Sequence, residues 1–127
     1  MRRESGFTLI SVMIALILLS VGVMALARAG GEVAAARTTS AVKTNAVAIA
    51  RGHMEYLRSR PPQDLTSESA VQVDEGGDIN GAGAYTRSVQ LTTESSTLLN
   101  VKVIVDYPRA NEPVEIITLI YLPPVPT

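Results

Sequence analysis

GFTLISVMIALILLSVGVMALA, residues 6–27, decides how the rest of the chain is read. From Phe7 to Ala27 no side chain is charged, and Leu, Ile, Val, Met and Ala dominate. At about 1.5 Å of rise per residue this run makes a helix of roughly 30 Å, the thickness of a bilayer's hydrocarbon core. A helix apolar on every face does not belong on the surface of a soluble domain; lipid or other helices must enclose it. Arg2 and Arg3 stand just before it. The positive-inside bias therefore predicts a cytoplasmic N-terminal end, with the following residues on the far side of the membrane.

Outward from this run, 127 residues leave about 100 for everything else, enough for one small domain. Hydrophobic residues make up 46 % of the chain and aromatics only 4 %, so a core outside the membrane must be built from Val, Ile and Leu. The net charge is −1 but unevenly spread: the first sixty residues hold eight Lys/Arg against three Asp/Glu, the remainder three against nine. An acidic head of this kind is no platform for nucleic acid. There is no cysteine, which excludes thiol chemistry, cysteine-based metal sites and a stabilising disulfide.

Helical character continues past the apolar run. Residues 28–60 are rich in Ala, Arg, Val, Lys, Glu and Met and contain no proline. At 100° per residue, Val42, Ala46, Ile49, Ala50, His53, Tyr56 and Leu57 fall on one side, with Val47 and Met54 at its edge. Arg37, Thr44, Arg51, Glu55 and Arg58 fall opposite, so the stripe needs a cover. Pro61-Pro62 ends the helix, because a residue before proline is pushed out of the helical region. Gly22, Gly30 and Gly31 are the candidate bend positions. The adjacent pair is the better placed, whereas Gly22 suits close approach of a neighbouring helix.

Residues 61–83 then form a connecting region rich in Ser, Asp, Glu and Gly, with a short strand at Ala70–Val73. Three β-like runs follow within 84–122: Tyr85–Thr93, Leu98–Tyr107 and Val114–Leu122. In the first, Val89 and Leu91 share a face; in the second, Val101, Val103 and Val105 do. The short links predict an antiparallel meander whose inner face covers the helix stripe. Residues 123–127 are a proline-rich tail that cannot extend a strand. The expected fold class is α+β: a long N-terminal helix on a small antiparallel sheet.

Few residues could carry chemistry. His53 is the only histidine and lies on the apolar side of its helix, where a packed, hydrogen-bonded role is expected. Without a second His or any Cys, neither a zinc site nor a Ser-His-Asp arrangement has its parts. No phosphate loop or dinucleotide fingerprint is present. Asp74, Glu75, Asp78 and Asn80 form one oxygen-rich cluster of the kind calcium favours. Their spacing does not fit an EF-hand loop, and glycines stand where ligands belong, so a solvated loop is expected. No catalytic residue and no cofactor are expected.

Gly6-Phe7-Thr8-Leu9-Ile10, after a short basic leader and before a long uncharged helix, resembles the N-terminus of type IV pilins and pseudopilins. The resemblance implies that a prepilin peptidase cuts between Gly6 and Phe7 and methylates Phe7. The leader would then be residues 1–6, the assembly helix 7–27 beginning Phe7-Thr8-Leu9-Ile10-Ser11, and the pilin-like domain 28–127. Family members usually carry a glutamate at the fifth residue after the cut, where this chain has Ser11. That glutamate is believed to pair with the α-amine of a neighbouring subunit, and a carboxylate at such depth needs a partner. Ser11 cannot form the pair; its hydroxyl is expected to bond back to a carbonyl one turn earlier. Tip-located pseudopilins typically lack the glutamate, so a tip or priming role is implied. The alternative is drift in a low-abundance subunit.

Ala46–Arg58 reads A-x-A-x-A-R-G-H-M-E-Y-L-R, similar to the same region in the type IV pilus modification family of minor pilins and in small minor pseudopilins of type II secretion. The implied function is a minor pilin that helps prime or cap a pilus; the alternative is a type II secretion pseudopilin. Implied partners are other pilin subunits, the prepilin peptidase, the inner-membrane assembly platform and, before assembly, the bilayer. The implied location is the bacterial inner membrane, then a periplasmic or extracellular filament. A secretory signal cut after Ala25-Leu26-Ala27, giving a secreted or anchored binding domain, competes, but its apolar core would exceed the usual 7–15 residues or so.

Overall fold

The structure, a computed structural model, describes Gly6 and residues 8–124. Phe7, leader residues 1–5 and tail residues 125–127 lie outside the described residues. One helix, α1, runs Leu9–Arg58, and four strands follow: β1 Glu68–Val73, β2 Tyr85–Ser95, β3 Leu98–Asp106 and β4 Val114–Tyr121. Two compact units divide at Thr38/Thr39.

In the first unit the helical stretch is apolar and uncovered. Its large hydrophobic residues between Leu9 and Leu26 are 44–79 % exposed, which is the condition of a segment that folds against lipid or neighbouring helices. It is long and apolar enough to cross a membrane. The helix assignment is unbroken through Gly22, Gly30 and Gly31. Ser20 Oγ donates to the carbonyl oxygen of Ile17 (2.8 Å), which satisfies a hydroxyl set within the apolar run, and Thr38 Oγ1 donates in the same way to that of Ala34 (3.1 Å).

In the second unit the end of α1 packs on one face of the sheet. The strands are all antiparallel in the order β1-β2-β3-β4, so the chain makes a simple meander. Ala46, Ile49, Ala50, Met54 and Leu57 of α1 meet Val73, Tyr85, Val89, Leu99, Val101, Val103 and Val105 in one buried core. Val101, Val103 and Val105 alternate inward on the central strand β3 as their period of two predicts. On the helix, the stripe lies nearer Met54 than the 100° projection placed it. Met54 is buried at 5 % exposure, while Tyr56 is 52 % exposed. Tyr56 sits on the stripe's other margin, where its ring lies 5.7 Å from that of His53 and 5.8 Å from the Arg60 guanidinium.

At its C-terminal end α1 tightens as Ser59 N–H donates to both Glu55 and Tyr56 carbonyls, and Pro61-Pro62 then opens a single 3-10 turn over Pro62–Asp64. The region expected to be a connection contains β1, which starts at Glu68 and forms one edge of the sheet beside β2. The short strand expected at Ala70–Val73 is thus present and begins two residues earlier; Val71 and Val73 face inward, and the register shift between Glu68 and Val71 interrupts the alternation that would have marked its start.

The β1–β2 connection is held by its own backbone. Asp74 N–H donates to Asp78 O (2.9 Å), Gly77 N–H to Asp74 O (3.0 Å), and Asn80 N–H to Gln72 O (2.9 Å). Gly77 has φ +87°, which glycine adopts without strain. Gly83 passes so close to β1 that a Cβ there would overlap the carbonyl of Val73.

Candidate functional site

Thr8 stands just before α1 and caps it. Its Oγ1 accepts from Ser11 N–H at 3.3 Å, three residues on, which satisfies one of the orphan donors of the first turn. Ser11 Oγ lies 2.8 Å from Thr8 Oγ1. The Ser11 hydroxyl is thus paired with a side chain rather than with the backbone carbonyl expected from the sequence. At the first turn the capping hydroxyl already points at the helix end, and Ser11 meets it there. Gly6 is exposed. Ile10 and Ser11 are also exposed, so the first turn presents a neutral, self-satisfied surface.

The second constellation lies in the Thr39–Thr127 unit and is partly one the sequence did not signal. His53 Nε2 lies 2.9 Å from Glu68 Oε2, a pair that joins the end of α1 to the edge strand β1. Burial, then the nearby charge of Arg87, hold the His53 imidazole below its ordinary pKa, against the opposing pull and hydrogen bond of Glu68. Arg87 occupies an inward position on β2 between Tyr85 and Val89, and is 8 % exposed. Its Nη1 donates to Gly77 O at 2.9 Å, while its buried Nε has no protein partner. Among the described residues no carboxylate lies within ion-pair distance of it. Arg87 was not singled out in the sequence, although the phase of Val89 and Leu91 on the same strand places it on the inward face.

His53 and Arg87 line a cleft of about 450 Å³ between α1 and the β1–β2 connection, with Ile49, Gly52, Tyr56 and Gly77 among its walls. The oxygen-rich cluster does not converge on a point. Asp74 Oδ1 accepts from Gly76 N–H (2.9 Å) and Asp78 N–H (3.0 Å), and Asn80 Oδ1 from Ala82 N–H (3.0 Å). These oxygens cap the connection's own backbone, and the described residues form no group of His, Asp and Glu suited to a metal.

Residues 1–27 match the family model for the prokaryotic N-terminal methylation motif. The chain carries the type IV pilin and pseudopilin signature. No curated protein and no solved structure matches the chain. The pilin signature coincides with the apolar segment that α1 exposes, and the α+β arrangement behind it, a long helix end on a four-stranded antiparallel sheet, is pilin-like. Signature and helix together are consistent with a membrane-anchored pilin or pseudopilin, and the motif implies prepilin peptidase processing and pilin-type subunits as partners.

Proposed function

We propose that this protein is a minor type IV pilin, a structural subunit that helps to prime or cap a pilus after prepilin peptidase has cut between Gly6 and Phe7 and methylated Phe7. The observation that carries the reading is the methylation signature on a helix with no charge from Phe7 to Ala27 and no cover from its own chain. Such a helix waits in the bilayer and then moves into a bundle of equivalent helices, so its burial persists while lipid is exchanged for protein. The role is structural and not enzymatic: His53 is tied to Glu68, and the chain has no second histidine and no cysteine to complete a catalytic set.

Ser11 supports the tip or priming position. Ser11 is uncharged, so the first turn offers no anion to the amine of a subunit already in place, while cleavage after Gly6 would give Phe7 an amine for a later subunit's glutamate. In this reading Gly30 and Gly31 are where the helix bends or melts on packing into the filament. A straight, fully protected helix through them in assembled filaments would overturn that part.

The deciding experiment follows a tagged chain in cells. Mass spectrometry should find methyl-Phe7 at the mature N-terminus, and the tag should map to filament ends. Retention of the first six residues in cells with active prepilin peptidase overturns the reading. Replacing Ser11→Glu should move the subunit from ends to shafts, and an unchanged distribution removes the tip assignment. Loss of surface pili in a deletion strain, against loss of enzyme secretion, separates a pilus subunit from a type II secretion pseudopilin.

A further inference from the structure

We propose that the cleft beside Gly52 is a carboxylate-binding site, in which Arg87 holds the acid group while the ligand's body lies over Gly52 against the ring of Tyr56. The inference does not rest on the filament reading, since every residue it uses lies between Ile49 and Arg87 and binding is measured on the isolated chain. It begins with an imbalance of charge. Arg87 is desolvated, yet its one hydrogen bond goes to a neutral carbonyl, that of Gly77, and its Nε has no protein partner. A buried cation without a counter-charge is costly, and an arriving anion removes that cost. With Nη1 committed to Gly77 and Nε closed off from solvent, the Nη2 end of the guanidinium is the part left to meet a carboxylate oxygen.

The shape of the cleft selects the rest of the ligand. Gly52 sits in mid-helix, where glycine costs about 1 kcal/mol relative to alanine, and nothing lies within 4 Å of where its Cβ would be. The helix therefore leaves open a space that an ordinary helix former would fill. Ile49 is buried beneath that space and the half-exposed ring of Tyr56 flanks it, so the ring is the face against which a ligand's planar or hydrocarbon body can lie. The exposed Asp78 lines the cleft, and Glu68 is bonded to the lining residue His53. They disfavour a dianion such as phosphate and leave a monoanionic carboxylate as the group that fits. The source is either an acidic side chain of a partner chain or a small free acid; both present the same head to Arg87.

The test uses the full chain in detergent micelles, with sodium 3-phenylpropionate as probe and sodium chloride at equal ionic strength as control. The Arg87 Nε–H resonance and the His53 ring signals should shift saturably, with a Kd of about 1 mM or tighter. Inorganic phosphate should leave them in place. Arg87→Gln should weaken binding at least tenfold. Gly52→Leu, which fills the cleft without touching Arg87, should do the same while the amide spectrum stays folded. No saturable shift, or binding that survives Gly52→Leu, overturns the proposal. A photoreactive phenylalanine in place of Ile79, an exposed residue at the cleft's rim, separates the sources in cells while leaving the space beside Gly52 open. A cross-linked peptide with Asp or Glu at the attachment point assigns the carboxylate to a partner chain, and retained probe binding without such a peptide assigns a free acid.

Discussion

His53 Nε2 on α1 lies 2.9 Å from Oε2 of Glu68 at the start of β1, a contact that favours the protonated ring in a place where burial and Arg87 oppose it. In the folded chain burial and Arg87 keep the imidazole below its ordinary pKa despite Glu68. The unfolded chain therefore takes up the proton first as pH falls, and stability is lost from the ordinary histidine range down through the lower folded value. Above that range the contribution is complete. The His53 ring should titrate with a midpoint below that of the urea-unfolded chain. Its midpoint should fall further in Glu68→Gln and rise in Arg87→Gln, because each removes one opposing influence. An NMR pH titration of the ring checks all three; a folded midpoint at or above the unfolded one would sink the assignment.

Leu57 and Tyr56 are neighbours in sequence with opposite fates. Leu57 is 2 % exposed and Tyr56 52 %, so Leu57→Ala should cost about 2–5 kcal/mol and leave a cavity under β3 and β2. Tyr56→Ala gives up only ring contacts with His53 and Arg60 at the surface and should cost about 1 kcal/mol or less. Urea unfolding of the two variants provides the comparison, and similar losses would mean that the helix is rotated about its axis from the position described.

The difference between these residues also shows where the sequence was legible. Val101, Val103 and Val105 alternate over five residues of one strand, and all three are fully buried, as period alone requires. The helix stripe was readable to within about one residue's rotation, since Met54 and Tyr56 lie at nearly equal angles on either side and only the sheet decides which is covered. The start of β1 was harder, because its pairing begins at Glu68, a residue that suits a loop and stays there for its partner His53. Arg87 was illegible by residue type: a charged side chain reads as outward, and its inward place follows only from the phase of Val89 and Leu91. The methylation signature was legible because it is local and linear, whereas the cleft joins positions up to 39 residues apart in the chain, Ala48 to Arg87.

Thr8 is the cap on which the first turn of α1 depends. Thr8→Ala should free the Ser11 amide, at a cost of about 0.5–2 kcal/mol to the local helix, whereas Thr8→Ser keeps the oxygen in place. Hydrogen exchange in micelles reads this directly: the Ser11 amide should exchange several-fold faster in Thr8→Ala and at the native rate in Thr8→Ser. Equal rates in all three chains would show that the hydroxyl does not cap.

Gly83 and Gly52 predict opposite signs for the same substitution. A Cβ at Gly83 would fall inside the carbonyl group of Val73 and within 2.9 Å of Asp74 N. Both are backbone atoms, so no rotamer change relieves the overlap. The strand would have to move, and Val73 is itself fully buried against the core, so Gly83→Ala should cost about 3 kcal/mol. A Cβ at Gly52 meets nothing within 4 Å, and alanine replaces the poorest non-proline helix former, so Gly52→Ala should gain about 1 kcal/mol. For a unit of this size each 1 kcal/mol moves the melting temperature by about 4–8 °C, so the two variants should melt well apart on either side of the parent. A Gly83→Ala chain that melts with the parent would mean that β1 and the end of its connection do not approach as closely as described, and the close approach, not glycine's flexibility, is what the position requires.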